Sequence, residues 1–384
     1  MPSYTHETDI AVIGAGLSGV CAAVSAARLG KRVVILEKDS APGGRVRSLR
    51  HGHLCGLYAN GARRPRRLLN NGFSPELVSC LVPRPRPRRM GKVWVLPYDP
   101  RNLTNALRAV LRRESLADLS CSSRVISWAG QGRRITSLVY ERAGRKTRLA
   151  PRAVIVAGSG ILDGISGAVP FTRTPRRRQL GGYTVEVASV RYTQLRAIEV
   201  PYLLRRAVES GLMPQWLRWT QLSPLPDGRV MLKFSVPLEV GPVTARRIAV
   251  SAISRLRRAS KAWRAARVRW HALMVYPRDG SFLRGSYTLT ENDLITGRTF
   301  SDNLGRAAWP VEFWDEGRGP QYLYPPEGGY GIPAGSLCAR GSDNLFAAGT
   351  AVCADYRAAA SLRAAGVCMS TGEAAGILAA KSVR

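Results

Sequence analysis

The chain has 384 residues, is 45% hydrophobic, and carries 58 lysines and arginines against 26 acidic residues, a formal net charge of +32. That much apolar content over this length excludes wholesale disorder and leaves room for one large α/β domain with a smaller second one. The charge comes from scarce acids more than from dense cations. It admits two readings, a field that gathers anions such as nucleic acid or acidic substrates, or a solvated arginine surface.

Seven scattered cysteines, an odd number with no CxxC spacing, suit a reducing compartment, and with only four histidines no metal site is expected. The apolar run at residues 10–27 is not read as a secretory leader, because Glu7 and Asp9 precede it and glycines interrupt it. No other stretch is long enough to span a bilayer, so a cytoplasmic protein is expected.

In chain order, residues 9–13 read as a buried strand, 14–19 as a tight turn, 20–29 as a helix and 32–37 as a second buried strand. This βαβ unit carries D-I-A-V-I-G-A-G-L-S-G, which places Gly14, Gly16 and Gly19 as GxGxxG between strand and helix. The first glycine permits the turn, the second lets backbone approach a pyrophosphate, and the third lets the helix pack closely on the sheet. The helix N-terminus, opened by Leu17 and Ser18, offers free N–H groups and partial positive charge to phosphates. Glu37 ends the second strand at roughly the 20-residue offset where an acid accepts ribose hydroxyls, with Lys38 next to it. A dinucleotide site follows.

Residues 63–89, with RRPRR and RPRPRR, read as a surface excursion or lid extending to about residue 98. Residues 102–113 form an amphipathic helix; 119–126, 134–141 and 147–150 a β-meander; and 153–157 another buried strand. From 171 to 329 the pattern changes to short alternating segments, such as 229–236, and a helical stretch at 243–266. Residues 344–348 are a strand and 361–380 a helix rich in small residues. The expected fold is α/β: a discontinuous Rossmann-like domain, parallel sheet plus meander, from 1–170 and 330–384, and an α+β substrate or cap domain at 171–329.

The continuation E-K-D-S-A-P-G-G-R, with Gly43, Gly44 and Arg45, resembles the FAD-binding pattern of the glutathione-reductase-like flavoproteins. The terminal sequence Y-G-I-P-A-G-S-L-C-A-R-G-S-D-N-L-F-A-A-G-T, followed by S-L-R-A-A-G-V-C-M-S-T-G-E-A-A-G, resembles the FAD-dependent oxidoreductase family related to fumarate-reductase and HdrA-type flavoproteins. The segment R-G-S-Y-T-L-T-E-N-D at 284–293 resembles the same family. The likeness covers about the first 60 and last 100 residues. A second GxGxxG, which a built-in NAD(P)H domain would need, is absent.

The resemblance implies non-covalent FAD. Gly349 and Thr350 would meet the ribityl chain and pyrophosphate, and the helix N-terminus near Arg363, Gly366 and Val367 would face the flavin ring. Val125 would contact adenine through its backbone, and the turn at Ala157 and Gly158 would close the domain. Thr350, Tyr356 and Glu373 depart from the family's usual arginine, histidine and glutamine. Cys55 in H-L-C-G-L-Y reads as a packing thiol or a redox group.

The catalytic candidates are Arg363, which would bind a carboxylate or stabilise reduced flavin, with Tyr356 and Arg284. Tyr183, Tyr192, Tyr202 and Tyr287 are candidates for the substrate pocket, and Trp216, Trp219, Trp309 and Trp314 for packing. The implied function is oxidation or desaturation of a small organic substrate by hydride transfer to flavin N5. That substrate is anionic or carried by an acidic protein docking on Arg63–Arg67, Arg84–Arg89 and Arg176–Arg178. A flavin monooxygenase and a protein with structural FAD are the alternatives; a nucleic-acid partner lacks any recognisable motif.

Overall fold

The computed structural model describes residues 5–61, 68–160, 171–173, 179–191, 198–225 and 228–383. Its largest sheet runs in the order Ala117–Ser120, Val33–Leu36, Thr5–Ile13, Arg145–Val156, Arg134–Arg142, Ser123–Gln131, with Leu345–Ala347 also paired to Arg145–Val156. The first four strands and Leu345–Ala347 pair in parallel, and the meander is antiparallel. Alternation of side chains along each strand buries both faces. Ile10, Val12, Val33, Ile35 and Ile155 pack with the helices on one side. Ala11, Ile13, Leu36, Val154 and Val156 pack with Val125, Leu138 and Leu345 on the other.

Three sequence expectations change around this sheet and the C-terminal helix. The single strand expected at 119–126 is two, Ala117–Ser120 and Ser123–Gln131, because the chain turns at Ser122 with φ +55°. Conversely, 147–150 and 153–157 form one twelve-residue strand, Arg145–Val156. Pro151 removes one ladder donor, but partners on both edges carry the strand through. The helix expected at 361–380 breaks into Ala359–Leu362 and Ala365–Ser382, and the break falls at Arg363.

The C-terminal helix Ala365–Ser382 lies against the first helix, Leu17–Arg28, backbone to backbone: a Cβ on Gly372 would strike the Ser18 carbonyl and one on Gly376 the Ala22 carbonyl. Small residues at these positions allow that approach.

A second, antiparallel sheet has the order Gln221–Pro224, Val230–Val236, Gly181–Ala188, Arg267–His271. Its period-2 pattern sorts two faces. Tyr183, Val185, Val187, Leu232 and Phe234 pack under helices Glu199–Glu209 and Gly241–Ala259. Thr184, Glu186, Lys233 and Ser235 lie on the opposite face, where Thr184 Oγ1 donates to Leu49 O at 2.7 Å and Glu186 pairs with Arg50 at 3.0 Å. The polar face of this sheet therefore closes over the segment that follows the glycine pair. Helix Gly241–Ala259 ends seven residues before the expected 266, and Trp263 turns into the core.

No helix of the described residues is long and apolar enough to cross a membrane, and no group of three or more His, Cys, Asp or Glu among them is arranged to hold a metal ion.

Candidate functional site

The first strand delivers the chain into a turn at Gly14, φ +99°, whose N–H donates to Leu36 O at 2.8 Å. A Cβ on Gly19 would strike the Gly14 carbonyl, so the helix can start this close to the strand only with glycine there. The helix starts at Leu17 without a side-chain cap, leaving its first N–H groups to a ligand. Leu17 and Ser18 themselves point inward, at 4% exposure each.

Glu37 is buried at the end of the second strand. Its Oε2 accepts from Ala15 N at 2.6 Å and its Oε1 from Asp39 N at 2.9 Å, which locks the carboxylate at the mouth of the turn. Lys38 is exposed and pairs with Asp39 at 2.9 Å. Gly44, φ +51°, lies on Gly16, a Cβ there reaching within 3.0 Å of the Gly16 Cα. Arg45 reaches across to donate to Pro277 O at 2.7 Å. Val125 is a core side chain of the meander opposite Tyr140, 7% exposed.

The C-terminal motif closes the same cradle. Gly349 has φ +61° and its N–H donates to Thr371 Oγ1 at 2.9 Å, while Ser18 Oγ donates to Ala157 O at 3.3 Å. Beyond Gly158, Ser159 N and Oγ both donate to Thr350 Oγ1, at 3.0 and 3.2 Å. Turns from residues 14–19, 43–45, 157–159 and 349–350 are thus brought together. A buried carboxylate, an uncapped helix start and glycines where a Cβ would intrude fit an FAD.

Gly366 and Val367 serve packing: a Cβ on Gly366 would strike the Gly56 carbonyl, and Val367 is fully buried. Arg363, at the helix break, instead lines a narrow cleft with Gly349, Thr350, Ser159, Phe282 and Arg278. Its Nη1 donates to Gln179 Oε1 at 3.1 Å and its Nη2 to Glu312 O.

Around Arg363 lies a polar seam that the sequence reading missed. Arg278 donates to Leu180 O, to Gly181 O at 3.1 Å and to Ser235 Oγ at 3.2 Å, and stacks on Trp314 at 4.5 Å. Trp309 and Trp314 both donate their indole N–H to the Glu312 carboxylate, at 3.0 and 2.8 Å. Burial lowers the pKa of Lys233, of Arg278, which the Arg363 charge lowers further, and of Arg363. Burial and the charges of Lys233, Arg278 and Arg363 hold His51 well below the ordinary histidine range, and burial does the same to His53. Burial pushes the Cys55 thiol up to about 12, so it is no ready nucleophile. A signal was present in the sequence: Lys233 is the one cation within the apolar strand V-M-L-K-F-S-V.

Other candidates fall elsewhere. Arg284 is exposed at the end of strand Ser281–Leu283, so the structure removes it from this group. Tyr356 packs edge-on against Phe313, ring centroids 5.4 Å apart, and lines an outer cleft rather than the FAD cradle. Tyr183 is core, with its hydroxyl 3.3 Å from His271 Nδ1, Tyr202 is exposed, and Tyr287 donates to Asp293 Oδ2 at 2.8 Å. Tyr192, Arg63–Arg67 and Arg176–Arg178 lie outside the described residues, whereas Arg84, Arg86 and Arg89 are exposed. A larger cleft, about 830 Å³ and rich in arginine, lies beyond Arg50, where Arg229 is held by Asp99 and Glu186 at 3.0 and 2.8 Å. The FAD motifs do not meet there.

Against known proteins, the profile of a family described as FAD dependent oxidoreductase matches residues 9–384. Hydroxyneurosporene desaturase of Rhodobacter capsulatus is 51% identical over 43 residues, 11% of this chain and 9% of that protein. Digoxin reductase of Eggerthella lenta is 42% identical over 55 residues, 14% of this chain and 9% of that protein. The chain thus matches these curated relatives over about 9% of their length. The flavin-dependent brominase Bmp2 aligns with a TM-score of 0.50 at 11% identity, covering 98% of this chain and 79% of that one. A geranylgeranyl bacteriochlorophyll reductase-like protein from Thermoplasma acidophilum aligns at 0.48 and 11%, covering 98% and 78%. At such identity the likeness to the brominase is one of fold.

Proposed function

Since the chain belongs to the FAD-dependent oxidoreductase family, with FAD as its cofactor, we propose that it oxidises or desaturates a small organic anion by hydride transfer to that FAD. The observation that supports this most is the buried seam beside the cradle, where Arg363 and Arg278 line one narrow cleft with Gly349 and Thr350, and Arg363 donates only to the neutral acceptors Gln179 Oε1 and Glu312 O among the described residues. A guanidinium held by neutral oxygens keeps its charge for a bound anion.

Bound FAD supplies a two-electron acceptor at its N5 atom. Arg363 and Arg278 hold the substrate's anionic group, Arg363 with the planar fork that matches a carboxylate. Trp309 and Trp314 keep Glu312 oriented, so the cations stay charged while solvent is excluded. Burial and the charges of Lys233, Arg278 and Arg363 keep His51 neutral beside them, so it adds no further positive charge to the seam. Gly14, Gly16, Gly19, Gly44, Glu37, Gly349 and Thr350 hold the cofactor, and Gly158 brings Ser159 to Thr350.

The test is anaerobic mixing of the FAD-loaded protein with candidate organic acids while the oxidised flavin band is followed. Bleaching by an acid, and its loss in Arg363→Met with FAD retained, is the expected result. Flavin reduced only by an external donor, with product formed only on adding oxygen, would replace this reading with a monooxygenase.

A further inference from the structure

A cleft of about 620 Å³ opens to solvent beside the seam, and Gln179 forms part of its wall. Gln179 is 5% exposed and takes part in four hydrogen bonds. Its Oε1 accepts from Arg363 Nη1 at 3.1 Å and from Trp314 N at 3.2 Å. Its Nε2 donates to Asp279 Oδ1 at 2.7 Å and its backbone N to Asp279 Oδ2 at 3.2 Å. Gln179 therefore touches both the outer cleft and the guanidinium that lines the FAD cradle.

The amide oxygen of Gln179 holds the Arg363 donor that a carboxylate oxygen would use, and a carboxylate adds a full opposite charge and a second oxygen for the guanidinium fork. Part of the wall beyond it is apolar, from Leu180, Pro237, Leu238, Phe313 and Tyr356. Glu239, Asp315, Glu316 and Asp355 also line it, with Arg357, whose charge is taken by Glu291 at 3.0 Å. In a chain with 26 acids against 58 cations, four acids line this cleft among the described residues. Such a lining disfavours a second negative charge on the part of a ligand that stays in the cleft.

We propose that this cleft admits the substrate, that the substrate is a monocarboxylate with an apolar body, and that Gln179 is the positioning residue its carboxylate displaces from Arg363. The proposal rests on the oxidase or desaturase reading for its chemistry, but its test is binding. The carboxylate passes Gln179 to reach the Arg363 guanidinium. The apolar body stays against Phe313 and Leu238. No bond is made or broken in this step.

The experiment is calorimetric titration of the FAD-loaded protein with 3-phenylpropionate, its amide and phenylsuccinate. The monocarboxylate is expected to bind at least tenfold more tightly than either comparator. Gln179→Ala, which removes the internal competitor, should tighten its binding two- to tenfold, and Gln179→Glu, whose carboxyl group still occupies the Arg363 donor, should not tighten it. Glu239→Lys with Glu316→Lys should bring phenylsuccinate within threefold of the monocarboxylate. A residue serving structure alone would give weaker binding in both Gln179 variants, and that result, in proteins whose melting temperatures match the parent, overturns the proposal. Equal affinity for amide and acid, or no binding of the acid, overturns it as well. In either case bleaching of FAD by some other organic acid would leave the proposed function standing, whereas tight monocarboxylate binding without any acid that reduces FAD would fail the proposed function alone.

Discussion

The turn at Gly349 rests against Ser18, so close that a Cβ on Gly349 would lie 2.5 Å from the Ser18 hydroxyl oxygen. Two motifs more than 300 residues apart in sequence thereby share one wall of the FAD cradle. With φ at +61°, the position also disfavours any side chain.

Gly349→Ala should lower stability by about 2–4 kcal/mol, the left-handed conformation and the overpacking together, and should reduce the FAD retained after gel filtration. Ser18→Gly in the same chain relieves the clash but not the backbone strain, so it should restore part of the loss. Full FAD content and an unchanged melting temperature in the single variant would contradict this packing.

Glu37→Ala removes the acceptor of the Ala15 and Asp39 N–H groups, together with the ribose contact expected of this acid. Charged hydrogen bonds of this kind contribute about 1.5–3 kcal/mol, so FAD affinity should fall roughly 10- to 100-fold. Quenching of flavin fluorescence on titration measures it; a change below threefold would show that the carboxylate does not bear on the cofactor.

His51 and His53 have folded pKa values held below their unfolded ones. Below about pH 6.5 the unfolded chain binds protons that the folded chain does not, so stability should fall as pH drops through that value and be fully present above it. Melting temperatures between pH 7.5 and 5 should show this decline, and the double variant His51→Gln, His53→Gln should flatten it. A parent protein whose melting temperature stays level over that range would refute the assignment.

Cys55 and Cys368, both pushed up to about 12 by burial, should stay unmodified by iodoacetamide at pH 8 in the native protein and react once it is unfolded. For these thiols the sign is reversed: between about pH 9 and 12 the folded chain retains protons the unfolded one has lost, so their contribution to stability declines as pH rises. Rapid labelling of Cys55 in the folded state would reopen a redox role for it.

The sequence by itself determined the dinucleotide half: GxGxxG, the acid at Glu37, the glycine pair and the terminal A-G-T motif are local patterns, because turn geometry and close backbone approach restrict which residues each position accepts. Alternation likewise revealed the strands of the large sheet, apart from the turn at Ser122 and the uninterrupted passage of Pro151. The sequence could not reveal the seam. Arg278, Arg363, Glu312, Gln179 and Lys233 belong to five separate segments, and nothing in the spacing of one predicts the others. Arg284 and Tyr356 stood beside Arg363 as catalytic candidates along the chain; the break before Ala365 turned Arg363 into the cradle, while Arg284 ended on the surface and Tyr356 in the outer cleft. Only tertiary packing decided which cations lost water and met one another, since desolvation depends on neighbours in space rather than in sequence.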